Sequence, residues 1–332
     1  MIDENRTLRC GMKRVVLLAM GGTISSTGSF GDVHSDLSGE SILESSGEQS
    51  DTQVEVEVIN VSRESSPNTT PQQMVDLADR INHELEKTEV AAAVVTHGTS
   101  TMEETAFILD LLVTGEKPVV VTGAMRSADS AWPDGPSNLR DAMTVAVSPE
   151  TPAGTVVVFN GKIHAGRYAH KSNSIDLEAF SSGDKGLIGR VYYGKAEYFW
   201  KRERKTLAYR GKLEKSAAIL PFYSGADDRY IRAAVELGEK GIVIDGVGLG
   251  NVNGAYEEGI RSAIQNGVSV VVTSRCDCGP VVPMYGDQGG AGQLKKLGVH
   301  FSDLSSYKAR LVLLLGLNGA FPMNELDDWL RA

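Results

Sequence analysis

Cysteine is scarce in this chain: Cys10, Cys276 and Cys278 are the only three in 332 residues. Three thiols give no disulfide framework and fit a reducing, cytoplasmic compartment. Cys276-Asp277-Cys278 holds half the donors of a thiolate metal site, but no second pair and no suitably spaced histidine cluster joins it, so no metal is expected. Positive charge is also short: the formal net charge is -10. Without a lysine or arginine stripe, nucleic acid is excluded as a partner. Long hydrophobic runs are missing, because Gly, Asp or Arg interrupts each one well before the roughly twenty residues that span a bilayer. Residues 1–12 include Asp3, Glu4, Arg6 and Arg9 and no apolar stretch, and read as a tail rather than a signal peptide. No Walker motif and no Gly-x-Ser-x-Gly elbow occurs, and Gly246-Val247-Gly248-Leu249-Gly250 has the wrong spacing for a dinucleotide fingerprint. Nucleotide binding is therefore not expected.

What is present is an ordinary globular composition, 41% apolar and 23% charged, on a chain long enough for two domains. The apolar run Arg14-Val15-Val16-Leu17-Leu18-Ala19-Met20 does not alternate, which suits a strand covered on both faces. It stops at Gly21-Gly22-Thr23, placing a hydroxyl at the carboxyl end of a strand, where open α/β sheets carry their sites. Residues 25–53 are rich in Ser, Gly and Glu and read as a long lid-like loop, with one helical turn expected over residues 37–43.

Residues 54–61 read as a strand and residues 72–86 as a helix with Met74, Leu77, Ala78, Ile81 and Leu85 on one face. A second buried strand, residues 91–96, ends in His97-Gly98-Thr99-Ser100-Thr101. The helix predicted over 102–113 has capping-box spacing at Ser100 with Glu103 or Thr101 with Glu104. Strands at 118–122 and 155–159 and a helix at 138–146 continue the alternation, which predicts a parallel sheet wound on both faces. The predicted domains are a larger catalytic α/β domain over residues 13–205, a charged linker over 206–216 and a smaller α/β domain over 217–332. In the latter, strands are expected at 217–220, 241–245, 269–273 and 309–315, with helices at 228–239 and 256–266.

Threonine recurs at the strand ends, at Thr23 and Thr99. A threonine hydroxyl becomes a competent nucleophile only when a neighbouring base takes its proton. Two candidate bases lie together in Gly166-Arg167-Tyr168-Ala169-His170-Lys171-Ser172. His170 has the suitable reference pKa, and Lys171 serves only if its surroundings depress its own.

The linked motifs resemble the bacterial-type L-asparaginase family. They are Gly21-Gly22-Thr23-Ile24, then Thr96-His97-Gly98-Thr99 followed by Thr101-Met102-Glu103-Glu104-Thr105-Ala106, then Thr122-Gly123-Ala124-Met125-Arg126 with Asp134-Gly135-Pro136, and Lys171-Ser172-Asn173. The match covers about residues 13–185, and a weaker one continues through Gly250-Asn251, Thr273-Ser274-Arg275 and Lys308-Ala309-Arg310. The resemblance implies a two-domain α/β fold and a homodimer or homotetramer whose subunits complete each other's sites. It implies a threonine acyl-enzyme, with ammonia leaving and water entering, and no cofactor. Position by position, Thr23 matches the nucleophile, Thr99 the second-motif threonine and Lys171 the lysine that acts as base. Backbone amides near Gly22 and Gly98 are expected to stabilise the oxyanion.

Departures fall at substrate-binding positions. The family's aspartate after the second threonine, which binds the substrate α-ammonium, is Ser100 here. Its Ser-Gln pair aligns with Ser66-Pro67, so the amide is missing. Residues 24–55 contain no tyrosine to orient the nucleophile, and Phe30 and His34 are the nearest substitutes. Asn251 matches a neighbour-subunit asparagine, and after Arg275 no acidic residue other than Asp287 is a convincing equivalent of the family's. The expected substrate is a small carboxamide or ester, an Asn or Gln derivative without a free α-ammonium, with cyclisation or acyl transfer open as alternatives to hydrolysis. Two other readings stand beside it: an ordinary asparaginase or glutaminase, and a non-catalytic binding protein on the same fold.

Overall fold

The computed structural model describes residues 13–29, 31–47, 54–201 and 203–331. They divide into two compact units between Ala208 and Tyr209. The first unit runs β1 (Lys13–Ala19), β2 (Ser26–Ser29), β3 (Asp32–Ser35), α1 (Gly39–Ser46), β4 (Val54–Asn60), α2 (Pro71–Glu86), β5 (Val90–Thr96), α3 (Met102–Leu112), β6 (Pro118–Thr122) and α4 (Gly135–Val147). It continues with β7 (Gly154–Phe159), β8 (Lys162–Ala165), β9 (His170–Lys171), β10 (Phe180–Ser181), β11 (Gly189–Tyr192) and β12 (Lys195–Tyr198).

Val15, Val16, Leu17 and Leu18 of β1 are fully buried, so both faces of this strand are covered and the unbroken apolar run follows. Burial of each such side chain contributes about 1.5–3 kcal/mol. The α1 and α4 helices cover one face, where Val15, Leu17, Ile42, Leu43 and Leu139 share a core, and α2 packs with α3 elsewhere. Strand order in the main sheet is β12-β11-β8-β7-β6-β5-β1-β4. Strands β4, β1, β5, β6 and β7 are parallel, whereas β8, β11 and β12 join antiparallel, so the sheet is mixed and not the purely parallel one expected. Short antiparallel strands need only tight turns, such as Asn160-Gly161 between β7 and β8, and leave no helical period between them in the sequence.

The predicted long loop after β1 is also corrected. It holds the β2–β3 hairpin and the two-turn helix α1, which starts where Ser38 Oγ accepts from Ser41 N–H and ends at Gly47 with φ 75°. Ile42 and Leu43 alone anchor that helix in the core, too short a signal to stand out among serines and glutamates.

The second unit contains β13 (Ala217–Pro221), α5 (Arg229–Glu236), β14 (Gly241–Gly246), α6 (Gly254–Gln265), β15 (Ser269–Ser274), α7 (Ala291–Lys296), β16 (His300–Phe301), α8 (Ser306–Leu317) and α9 (Leu326–Leu330). Its sheet, β13-β14-β15-β16, is wholly parallel. The strand expected at 309–315 is instead the middle of α8. A helix buried nearly all round reads as a continuous apolar run, like a central strand. Its Leu311, Leu313, Leu314 and Leu315 are helix formers rather than β-branched residues.

One buried group in β8 makes the fold sensitive to acid. His164 donates to or accepts from Ser182 Oγ at 2.7 Å through Nδ1, and its Nε2 is buried without a partner. Burial, reinforced by the charges of Lys162 and Arg190, pushes it down to about 4. The unfolded chain takes up a proton at this residue near pH 6.5, so stability is present above that pH and is lost as pH falls toward about 4. The loss amounts to about 3 kcal/mol over that window. Urea unfolding between pH 7 and pH 4 is expected to show this decline, and His164→Gln to remove its share; an unchanged slope in the variant contradicts the assignment.

Candidate active site

Parallel strands deliver the polar turns to one rim. Ala19 pairs with Asn60 and Thr96, and Thr96 pairs with Thr122, so β4, β1, β5 and β6 end level with one another. From β1 the chain passes through α1 to β4 on one side and then returns through α2 to β5 on the other. The crevice between β1 and β5 is therefore a topological switch point, the usual ligand position in such sheets.

Gly22 and Gly98 meet in that crevice. A Cβ added to Gly22 would stand 2.2 Å from Gly98 Cα, and Gly22 has φ 86°, a left-handed value that also favours glycine. A Cβ on Gly98 would in turn meet the Ser66 side chain at 2.7 Å. Three turns, following β1, β4 and β5, thus pack on one another through small residues. Thr101 Oγ1 donates to the Ser66 carbonyl at 2.8 Å and ties the third turn to the second. That bond also corrects the expected capping boxes: Thr101 is the N-cap of α3 but makes no side-chain cap, and Ser100 is not the N-cap.

The hairpin closes over the first turn. Gly22 N–H donates to Ser35 Oγ at 3.0 Å, and the hydroxyls of Ser25 and Ser26 donate to the Gly22 carbonyl at 2.8 and 2.9 Å. The Gly22 amide expected for the oxyanion is therefore occupied. Gly98 and Thr99 amides, by contrast, make no hydrogen bond to any described residue. The hairpin itself is held from below by Gly28 N–H to Asp129 at 2.7 Å and Ala128 N–H to the Ser26 carbonyl at 2.8 Å.

Lys171, on β9, donates from Nζ to Thr99 Oγ1 at 2.7 Å. Burial holds its ammonium below the usual lysine range, and the Glu103 carboxylate opposes that shift. Glu103, in the first turn of α3, is nearly buried and accepts from His170 Nδ1 at 2.8 Å. On the opposite side, His97 is buried, its Nδ1 donates to the Gly98 carbonyl at 2.8 Å and its Nε2 accepts from Thr105 Oγ1 at 3.0 Å. Burial keeps His97 below the usual imidazole range, so it stays neutral and fixes the peptide that presents Thr99.

Thr23 opens a short 3-10 turn over Thr23–Ser25, partly exposed, and its hydroxyl has no hydrogen-bond partner among the described residues. The hydroxyls of buried Ser66 and exposed Ser100 are equally uncommitted. Thr23, Gly22, Ser66, Gly98, Thr99 and Ser100 belong to the turns of the first unit just described, and Lys171 to β9 of the same unit. Asn251 lies in the second unit, where its Oδ1 accepts from Ala291 N–H at 3.0 Å, and Asp287 is exposed there. His34 is exposed and bonded to Asp32, while Phe30 lies outside the described residues. Sequence reasoning assigned no role to Ser35 and only a cap to Glu103. A serine across a hairpin leaves no local signal, whereas an acid one turn beyond a candidate threonine was legible.

Comparisons with known proteins establish the family. Residues 14–204 match the family model described as "Asparaginase, N-terminal", and residues 217–330 match "Glutaminase/Asparaginase C-terminal domain". The chain belongs to the asparaginase family. It is similar to an L-asparaginase of Bacillus licheniformis, 35% identical over 91% of this chain and 94% of that protein. It is likewise similar to L-asparaginase 2 of Bacillus subtilis, 35% identical over 92% of this chain and 83% of that one, and to L-asparaginase 2 of Escherichia coli, 36% identical over 79% and 77%. Among solved structures, the probable cytoplasmic L-asparaginase from Campylobacter jejuni superposes with a TM-score of 0.86 at 29% identity, covering 96% of this chain and 99% of that one. The two-domain α/β architecture is that of the family, with a large mixed-sheet unit followed by a smaller parallel one.

The contact of Gly22 with Gly98 sets a measurable cost. Gly22→Ala is expected to lower the unfolding free energy by about 3 kcal/mol, combining left-handed strain with overlap against backbone. Ser35→Ala is expected to cost only about 1 kcal/mol, the worth of one hydrogen bond. Urea unfolding of both variants measures the difference, and equal small losses contradict the packing described.

Proposed function

We propose that this chain is an amidohydrolase of the asparaginase type, acting through a threonine acyl-enzyme on a small carboxamide that lacks a free α-ammonium. The 2.7 Å bond between Lys171 and Thr99 carries the reading, because it joins a desolvated amine to a hydroxyl at the switch point. In this reading Thr23 Oγ attacks the carboxamide carbon and forms an ester; the C–N bond breaks and the nitrogen leaves as ammonia with the threonine proton. Neutral Lys171, through Thr99, then takes a proton from the water that attacks the ester and returns it to the departing Thr23 oxygen, which restores both groups. Free amides of Gly98 and Thr99 are the donors for the oxyanion, where preorganised dipoles contribute most. A second reading makes Thr99 itself the nucleophile, favoured by the observation that Lys171 touches Thr99 and not Thr23.

The substrate assignment rests on Ser100. The position after Thr99 offers a neutral hydroxyl, and the nearby carboxylate of Glu103 is held by His170. A family member with a carboxylate there pairs it with a free α-ammonium, so a blocked amine suits this pocket better. Asn251 of a neighbouring subunit completes the pocket in a homodimer or homotetramer, its Oδ1 being fixed by Ala291 and its amide nitrogen left to meet substrate. Cys276 and Cys278, both free and exposed, suit work in the cytoplasm. The described residues contain no helix long and apolar enough to cross a membrane.

Steady-state ammonia release tests the substrate assignment. N-acetyl-asparagine is expected to exceed free L-asparagine in kcat/KM, and Ser100→Asp to raise kcat/KM for the free amino acid by about thirtyfold, the lower bound for restoring a charge pair. Free L-asparagine as the better substrate, with no gain in Ser100→Asp, overturns it. The pH profile tests the base. Because the Lys171 pKa is depressed, the neutral amine accumulates as pH rises through a value below that of a free lysine, about 10.4, and kcat/KM should climb along that limb and vanish in Lys171→Met. A limb at or above the free-lysine value contradicts the role.

A further inference from the structure

Lys171 has two polar neighbours to choose between. Thr99 Oγ1 lies 2.7 Å from Nζ, and Glu103, in the first turn of α3, exerts an attractive field on the same ammonium. A nearly buried carboxylate beside a partly buried lysine ordinarily captures it, because neither charge is well solvated there. That ion pair is absent: Glu103 Oε2 is bonded at 2.8 Å to Nδ1 of His170, the residue that precedes Lys171 on β9. Since a carboxylate only accepts, His170 Nδ1 carries the proton whether the ring is neutral or charged.

We propose that His170 is a positioning residue that occupies Glu103 and thereby leaves the Lys171 amine to Thr99. The inference rests on the reading of Lys171 as the base and goes beyond it, naming what keeps that base in its working partnership. Consecutive residues on a strand point to opposite sides, so β9 is able to satisfy Glu103 with one side chain while directing the next at Thr99. The strand is held in place by its antiparallel pairing with β10, Lys171 opposite Phe180 and His170 opposite Ser181, neither of which is charged. From the preceding turn Arg167 places its guanidinium over the Phe107 ring at 5.4 Å. Glu103 is the one charged group whose field on Lys171 is resolved.

Without a donor at position 170, Glu103 has Lys171 as its remaining cationic neighbour in this group. The ammonium is then drawn toward the carboxylate, its neutral form becomes rarer, and Thr99 loses its partner. Asparagine at position 170 places Nδ2 close to where the imidazole Nδ1 stands and is able to hold Glu103 in its stead.

The experiment is a pH profile of kcat/KM in four variants, together with competitive acetylation of Lys171 by acetic anhydride, read by peptide mass spectrometry as a function of pH. Acetylation reports the lysine's ionisation without reference to turnover. His170→Ala is expected to move both the ascending limb and the acetylation midpoint up by about one pH unit or more, the effect of an adjacent opposite charge. His170→Asn is expected to restore both. Glu103→Gln is expected to move both down, and in His170→Ala/Glu103→Gln the histidine substitution should have no further effect. The proposal is overturned if His170→Ala leaves the acetylation midpoint unmoved, or if the shift is the same with and without the Glu103 charge. If instead acetylation responds as stated while Lys171→Met retains activity, the positioning stands and the base assignment fails.

Discussion

Two stretches of backbone meet at Gly22 and Gly98, and the polar arrangement of the first unit depends on that contact. Residues at the ends of neighbouring parallel strands normally diverge into separate turns. Here the lack of any side chain on either glycine lets the turns pack together, with Ser66 from the turn after β4 filling the remaining space. One residue beyond each glycine stands a threonine. The hairpin strand β3 then locks the first turn, because Ser35 engages both the amide and the carbonyl of Gly22. Such locking matters for chemistry, since groups that are fixed before the reaction need no reorganisation during it.

Around this contact the site balances two electrostatic demands. A lysine that is to act as a base must be desolvated enough to lose its proton, yet the same desolvation attracts it to any nearby carboxylate. The fold answers with adjacent strand residues that address different partners. His97 plays a comparable part on the other side, neutral through burial and bonded at both ring nitrogens, so the peptide before Thr99 has one orientation. Among the described residues, the turns that meet here carry hydroxyls or amides without a hydrogen-bond partner at Thr23, Ser66, Gly98, Thr99 and Ser100.

Much of this was legible in the sequence where the physics is local. Buried parallel strands announce themselves as Val and Leu runs, and β1, β5 and β6 end at the glycines and threonines that the runs point to. The α2 helix showed its apolar face, though its actual cap, Thr70 reciprocated by Gln73, was not foreseen. Legibility failed where a non-local partner decides the outcome. Helix α8 reads like a strand because its neighbours bury it nearly all round, and β8 to β12 are too short to show a period. Glu103 has the spacing of a cap yet bonds to a histidine 67 residues away, which no local rule anticipates. Lys171 was recognisable by its resemblance to a family motif; its 2.7 Å contact with Thr99, and the burial that depresses its pKa, belong to the folded structure alone.

The most direct test of the threonine acyl-enzyme is to quench the enzyme in acid during turnover of a slow ester or amide substrate and to locate the added acyl mass by peptide mass spectrometry. The predicted result is one acyl group on Thr23, lost in Thr23→Ala. An acyl group on Thr99 would transfer the nucleophile's role to that residue, and turnover with no acylated threonine at either position would contradict covalent catalysis at this site.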